Sequence, residues 1–100
     1  MDHDEGRTQK IIVRRYRAAE REMVEFKSAF ARHGDAEPEA LLRDNASLPL
    51  ATIALSGEVY LVVYNALLDT LAMADVEFLL SRVAAVADRL EEKHAGGDHF

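Results

Sequence analysis

The side chains best suited to chemistry are four histidines, and their spacing predicts no shared site. They are His3, His33, His94 and His99. No two of them stand four residues apart, which is the spacing of a helical metal-binding pair. His94, Asp98 and His99 could chelate a metal ion, but the neighbouring Gly96 and Gly97 favour a solvated tail. We therefore expect no metal site.

Other catalytic motifs are also missing from the sequence. No cysteine occurs, which excludes thiol nucleophiles and thiolate metal sites. The sequence has no glycine-rich phosphate loop and no nucleophile elbow. Ser47, Ser56 and Ser81 have no histidine near them in sequence. We expect a protein that is not an enzyme and that holds no cofactor.

Positive charge is concentrated at Lys10, Arg14, Arg15, Arg17 and Arg21. Such a cluster, interleaved with Tyr16, suggests an alternative function as a small DNA-associated regulator. Glu20, Glu22 and Glu25 lie within or directly after the cluster, and the net charge of the chain is -6. A self-compensated surface is therefore favoured, and nucleic acid is not the expected partner.

Length and composition fit one small domain. The chain has 100 residues, of which 49% are apolar, and we expect a single domain over residues 1–100 with disordered tails at 1–7 and 95–100. The lack of cysteine fits a reducing compartment, and the acidic N-terminus does not resemble a secretory signal. The cytoplasm is the expected location.

The least polar stretch, residues 48–71, has only two charged residues, Glu58 and Asp69. A membrane span would need about 20 apolar residues. It would place Glu58 and Asn65 near mid-bilayer, where a carboxylate is costly, so we expect no span. A helix would carry Glu58, Asn65 and Asp69 on one stripe, with Gly57 in its middle. The β-branched and aromatic residues after a glycine-first turn at Gly57 favour a hairpin instead.

The hairpin is predicted to have strands near residues 51–56 and 59–65. Its register predicts two faces, one with Ile53, Leu55, Tyr60 and Val62 and the other with Thr52, Ala54, Leu61 and Val63. The second strand is apolar on both faces. One of these faces is thus left for a second subunit or for another protein. The alternative is that the short helix near Leu41 and Leu42 and the side chains of Phe26 and Phe30 fill it.

A long amphipathic helix is predicted to begin near Asp75, as its N-cap, and to stop at Gly96. Its apolar stripe consists of Val76, Leu79, Leu80, Val83, Val86, Ala87 and Leu90. The polar residues expected in solvent are Glu77, Ser81, Asp88, Glu91 and Glu92. A shorter helix is predicted from residues 37–43, with Pro38 at its first position and its end before Pro49.

The first third of the chain permits two interpretations. A helical stripe runs through Ile12, Tyr16, Ala19, Met23, Phe26 and Phe30. Periodicity alone therefore favours a helix. The same residues also divide into two strands around residues 18–21, and their antiparallel pairing would set Arg17 beside Glu22 and Arg14 beside Glu25.

A wider pattern favours the strands. It consists of Leu41-Leu42, Asn45-Ala46, Gly57 at a hairpin tip, Leu67-Leu68-Asp69, and Val83, Ala87-Asp88 and Leu90-Glu91 in the last helix. This pattern resembles the YbjN-type branch of the type III secretion chaperone-like fold, in which the first third is strand. The resemblance implies an α+β fold, an antiparallel sheet packed on a long C-terminal helix in the order strand-strand-helix-strand-strand-helix. An all-α bundle is the alternative.

The resemblance also implies binding rather than catalysis. Members of that family are small, often dimeric adaptors or chaperones that hold an extended segment of another protein. We therefore expect a chaperone-like or regulatory adaptor that forms a homodimer and that has a client protein segment as a further partner. The residues expected on its protein-binding or dimer surface are Val59, Tyr60, Leu61, Val63 and Tyr64.

Overall fold

A computed structural model of the chain describes residues 9–95 in full and residues 2–3 and 7–8 as backbone. Two short strands, β1 (Asp2–His3) and β2 (Arg7–Thr8), pair with each other. The further elements are β3 (Ile12–Ala18), β4 (Arg21–Arg32), α1 (Pro38–Ser47), β5 (Thr52–Ser56), β6 (Val59–Leu67), a 3-10 turn (Leu68–Thr70), α2 (Met73–Leu90) and a π-helical turn (Glu91–Ala95). Disordered tails are expected at residues 1–7 and 95–100. Of these residues the structure describes only those in β1 and β2 and Ala95, and the others lie outside the described part of the chain.

The main sheet is antiparallel and has the order β3-β4-β6-β5. The long helix α2 packs against its two central strands, β4 and β6. The predicted α+β class and the order strand-strand-helix-strand-strand-helix are confirmed. The alternative of an all-α bundle is wrong.

The first third of the chain is a hairpin, so the helix that periodicity favours is wrong here. Arg14 pairs with Glu25 and Arg17 with Glu22, as the strand interpretation predicts. The helical stripe misleads because it combines residues from both strands. Within β4 burial alternates with period two, since Val24, Phe26, Ser28 and Phe30 are buried and the residues between them are half-buried.

The second hairpin has the predicted turn and faces. Gly57 has φ of 60°, a left-handed conformation that a side chain disfavours, and it occupies the first turn position. Ile53 pairs with Val62, and Ala54 pairs with Leu61. The predicted register is therefore confirmed, and β6 extends two residues further than expected, to Leu67.

Both helices lie where the sequence predicts them, but α2 begins earlier. Proline stands in the first turn of α1, which continues past residue 43 to Ser47 and ends before Pro49, as predicted. The helix α2 begins at Met73, so Asp75 lies in its first turn and is not the N-cap. The Asp75 N–H instead donates to the Ala72 carbonyl at 2.9 Å, which satisfies one of the backbone donors at the start of the helix.

The core lies between α2 and one face of the sheet, called here the inner face. The sheet and α1 contribute Val24, Phe26, Phe30, Leu41, Tyr60 and Val62, and α2 contributes Leu79, Val83, Val86, Ala87 and Leu90. The ring centroids of Phe30 and Tyr60 are 6.2 Å apart. Each fully buried side chain of this size contributes about 1.5–3 kcal/mol. The predicted apolar stripe of α2 is confirmed.

Candidate protein-binding surface

The outer face of the sheet is the face that points away from α2. By register it is formed by Ile12, Arg14, Tyr16, Met23, Glu25, Lys27, Ala29, Thr52, Ala54, Val59, Leu61, Val63, Asn65 and Leu67. The core residues of both helices pack on the inner face. Within residues 9–95, neither helix therefore covers the outer face. A sheet of four strands with one uncovered face is a surface on which another chain can pack.

Small and branched apolar side chains occupy the centre of the outer face. Leu61 of β6 stands between Ala29 of β4 and Ala54 of β5, and Val63 stands beside it along the strand. Val63 is only 8% exposed, and its register partners are Lys27 of β4 and Thr52 of β5. The centre of the face is thus apolar.

A polar network borders this apolar centre on the β3 side. Arg14 Nε donates to Glu25 Oε1 at 3.1 Å, and Lys27 Nζ lies 3.3 Å from the same oxygen. The guanidinium of Arg14 lies over the Tyr16 ring, 4.6 Å from its centroid. Tyr16 Oη donates to Asn65 Oδ1 at 2.6 Å. These contacts fix side chains that would otherwise lose rotamer entropy when a partner packs against them.

The charges of this network determine the protonation of Glu25. Burial alone would raise its pKa, because it disfavours the charged carboxylate. The hydrogen bonds and charges of Arg14 and Lys27 outweigh burial and hold the pKa of Glu25 below its usual value. The carboxylate is therefore charged at neutral pH.

The five residues expected to form the binding surface divide between the two faces. Val59, Leu61 and Val63 lie on the outer face. Tyr60 is buried in the core, and Tyr64 packs against the core from the same inner face. The period of two along β6 places the tyrosines with the helix, so the surface on the outer face is built from the aliphatic residues.

The basic cluster of the N-terminal hairpin is paired with acidic side chains. Arg17 Nη1 donates to Glu22 Oε2 at 2.9 Å, and Arg21 Nη2 donates to Asp69 Oδ2 at 3.1 Å. Arg15 lies 3.9 Å from Glu22. These pairs reduce the positive charge that the hairpin can offer to phosphate groups.

His94 does not lie in a solvated tail, as the sequence predicts, but contacts α1. Its Nε2 lies 2.6 Å from Asp44 Oδ2, and Lys93 Nζ lies 2.9 Å from Asp44 Oδ1. The described hydrogen bonds of His94 include no serine hydroxyl, which a hydrolytic triad would need. In the part of the chain that the structure describes, no three histidine or acidic residues are grouped to hold a metal ion.

A buried polar cluster that the sequence analysis missed lies just after the end of α2. Glu91, expected in solvent, is 0% exposed, and its Oε1 accepts a hydrogen bond from Gln9 Nε2 at 2.6 Å. Ser28 Oγ lies 2.7 Å from the Lys10 carbonyl oxygen and 3.2 Å from Gln9 Oε1. Glu91 stands four residues after Ala87, on the buried stripe, which is the signal that could have revealed it.

No family model matches this chain, and neither a curated protein nor a solved structure matches it significantly. The resemblance to YbjN-type domains therefore stays a prediction. The helices of the described residues include none that is long and apolar enough to cross a membrane. Residues 48–71, for which a span was considered, contain β5, β6 and the 3-10 turn.

Proposed function

We propose that this protein is a non-catalytic protein-binding module that acts as a homodimer through the outer face of its sheet. The occupant of that face is a second copy of the same chain. The observation that carries the proposal is the position of Leu61 and Val63, which point away from α2 at the centre of an uncovered four-stranded sheet.

The composition of the face supports this proposal. Protein interfaces combine an apolar centre with a polar rim. Here Leu61, Val63, Ala29 and Ala54 supply the centre. The rim on the β3 side is the network in which Arg14 and Lys27 both pair with the Glu25 carboxylate.

The charge pattern of the rim favours a second copy over a nucleic acid. Arg14 and Lys27 flank the Glu25 carboxylate, so each protomer presents both signs of charge side by side. Two such rims can be complementary when they meet across a two-fold axis. A phosphate backbone would instead meet Glu25 beside the cations.

The dimer is proposed to serve as an adaptor or chaperone-like module in the cytoplasm. The predicted resemblance to small chaperone-like domains supports this role, as does the chain's lack of cysteine. A dimer closed through the outer faces would leave exposed side chains such as Leu42 of α1 and Phe78 of α2 for a client segment.

The test compares two aspartate substitutions by light scattering after size-exclusion chromatography. The wild type is expected to have twice the chain mass of 11.2 kDa. Leu61→Asp should give a folded monomer, with association weakened about 100-fold or more, because each protomer would bury an unpaired carboxylate. The matched control is Leu42→Asp, which places the same charge on α1 and should leave the dimer intact. A wild type that is monomeric at high concentration would overturn the proposal.

A further inference from the structure

The free edge of β5 is closed at one point by a side chain rather than by a strand. Asn45 of α1 accepts a hydrogen bond at Oδ1 from the Ile53 N–H, over 3.0 Å, and its Nδ2 donates to the Ile53 carbonyl oxygen at 3.4 Å. In an antiparallel ladder the N–H and C=O of one residue point to the same side. Both Ile53 groups therefore point away from β6, and Asn45 occupies the place of a neighbouring strand.

Leu55 lies two residues further along β5 and has no such cover. The period of the ladder points its N–H and C=O away from β6, like those of Ile53. Among the described residues, no backbone hydrogen bond from outside the strands reaches Leu55. Its side chain is 50% exposed and lines a groove together with Leu42, which is 68% exposed. An open backbone edge and two apolar side chains thus adjoin the Asn45 contact.

The two edges of the sheet are protected in different ways. The β3 edge carries Arg14, Arg15 and Arg17, and a second copy paired there antiparallel would bring like charges together. The five residues of β5 include neither a charged residue nor a proline, the usual protections of an edge strand. Two copies of β5 paired across a two-fold axis would oppose no like charges. The occupant that fits this edge is therefore a second copy of the same strand.

We infer that the β5 edge is a latent strand-pairing surface for a second copy of this chain, kept closed by Asn45. Asn45 uses both its donor and its acceptor on Ile53, which a β5 strand from another chain would otherwise reach. The preceding residue, Asp44, binds Lys93 and His94 and so holds this end of α1 against the rest of the fold. The surface is separate from the outer face and does not depend on the dimer proposed above.

The test is the mass of Asn45→Ala in sedimentation velocity experiments over a concentration series. The expected result is a folded species with twice the wild-type mass. Asn45→Ala combined with Leu55→Lys should return to the wild-type mass, because a lysine on an edge strand opposes pairing with a further strand. A folded Asn45→Ala variant that keeps the wild-type mass would overturn the inference. So would doubling that persists in the Leu55→Lys combination.

Amide hydrogen exchange in the wild type tests the same inference without any substitution. The Ile53 amide should be protected by Asn45, while the Leu55 amide should exchange at least about 100-fold faster. Equal protection of the two amides would contradict an edge that Asn45 closes at Ile53 and that is left unpaired at Leu55. Repeating the mass measurement in the Leu61→Asp background separates the two surfaces, since edge pairing through Asn45→Ala should persist there whether or not the outer-face dimer exists.

Discussion

His94 Nε2 lies 2.6 Å from Asp44 Oδ2, and this contact joins the end of α2 to the end of α1 across 50 residues of sequence. Lys93 Nζ approaches the other Asp44 oxygen at 2.9 Å. Asp44 adjoins Asn45, whose side chain binds the edge of β5. Two successive side chains of α1 thus bind different parts of the fold, the turn after α2 and the edge of β5.

Asp44→Asn should destabilise the protein at pH 7 by about 1–3 kcal/mol, because two charge-assisted hydrogen bonds lose their anionic acceptor. The hydrogen bonds from Lys93 and His94 lower the pKa of Asp44 below its usual value. A folded-state pKa below the unfolded one contributes stability that is complete above about pH 4 and is lost as the pH falls through the folded value. Urea unfolding at a series of pH values measures both effects.

The variant should therefore lose less stability than the wild type on acidification below about pH 4. Glu25 also has a lowered pKa, and the stability that is lost when Glu25 is protonated is lost in both the wild type and the Asp44→Asn variant. The difference between the two pH profiles thus reports on Asp44. Parallel profiles below pH 4 would contradict the ion pairs at the end of α1.

Gly57→Ala and Gly57→Val should each destabilise the second hairpin by about 1–2 kcal/mol, since a left-handed conformation costs that amount for residues with a side chain. The φ of Gly57 is 60°, and nothing lies within 4 Å of a Cβ placed there. The cost is therefore one of backbone conformation. Gly57→Asn is the matched control, because asparagine tolerates this conformation, and chemical denaturation should rank it nearest to the wild type. Equal stability of all three variants would rule out this explanation.

We expect that substitutions in the turn of the first hairpin can raise the stability of the protein. Ala19 and Glu20 have φ of 51° and 64°, so both central residues of this two-residue turn are left-handed without being glycine. A type I′ turn prefers Asn-Gly at these positions. Ala19→Asn together with Glu20→Gly should raise the free energy of unfolding by about 1–2 kcal/mol. Because both substitutions are exposed, thermal unfolding followed by circular dichroism provides a direct measurement, and a lowered midpoint would contradict the assigned turn.

Local signals in the sequence were sufficient for the second hairpin and for α2. Gly57 marks a tight turn, and the apolar stripe of α2 has one period throughout. Pairing by charge offered the first hairpin only as an alternative to the helix, although Arg14 and Glu25 do lie opposite each other. Periodicity failed there because the turn at Ala19 and Glu20 lacks glycine or asparagine, so nothing in the sequence marks the end of a strand.

The candidate site was only partly predictable because burial depends on which face each element covers. The alternation along β6 predicted two apolar faces, but only the packed helix decides that Tyr60 belongs to the core and Leu61 to the outer face. The contact between Asn45 and Ile53 has no sequence signature. Glu91 accepts a hydrogen bond from Gln9, 82 residues away, a partner that local patterns do not reveal.

The central claim is that a second copy of the chain packs on the outer face. Isotope-filtered NMR on a mixture of labelled and unlabelled protein detects only contacts between protomers, so it identifies the interface directly. The account predicts intermolecular contacts from the methyl groups of Leu61 and Val63, and none from those of Leu42. Intermolecular contacts confined to other residues, or their absence at high protein concentration, would contradict it.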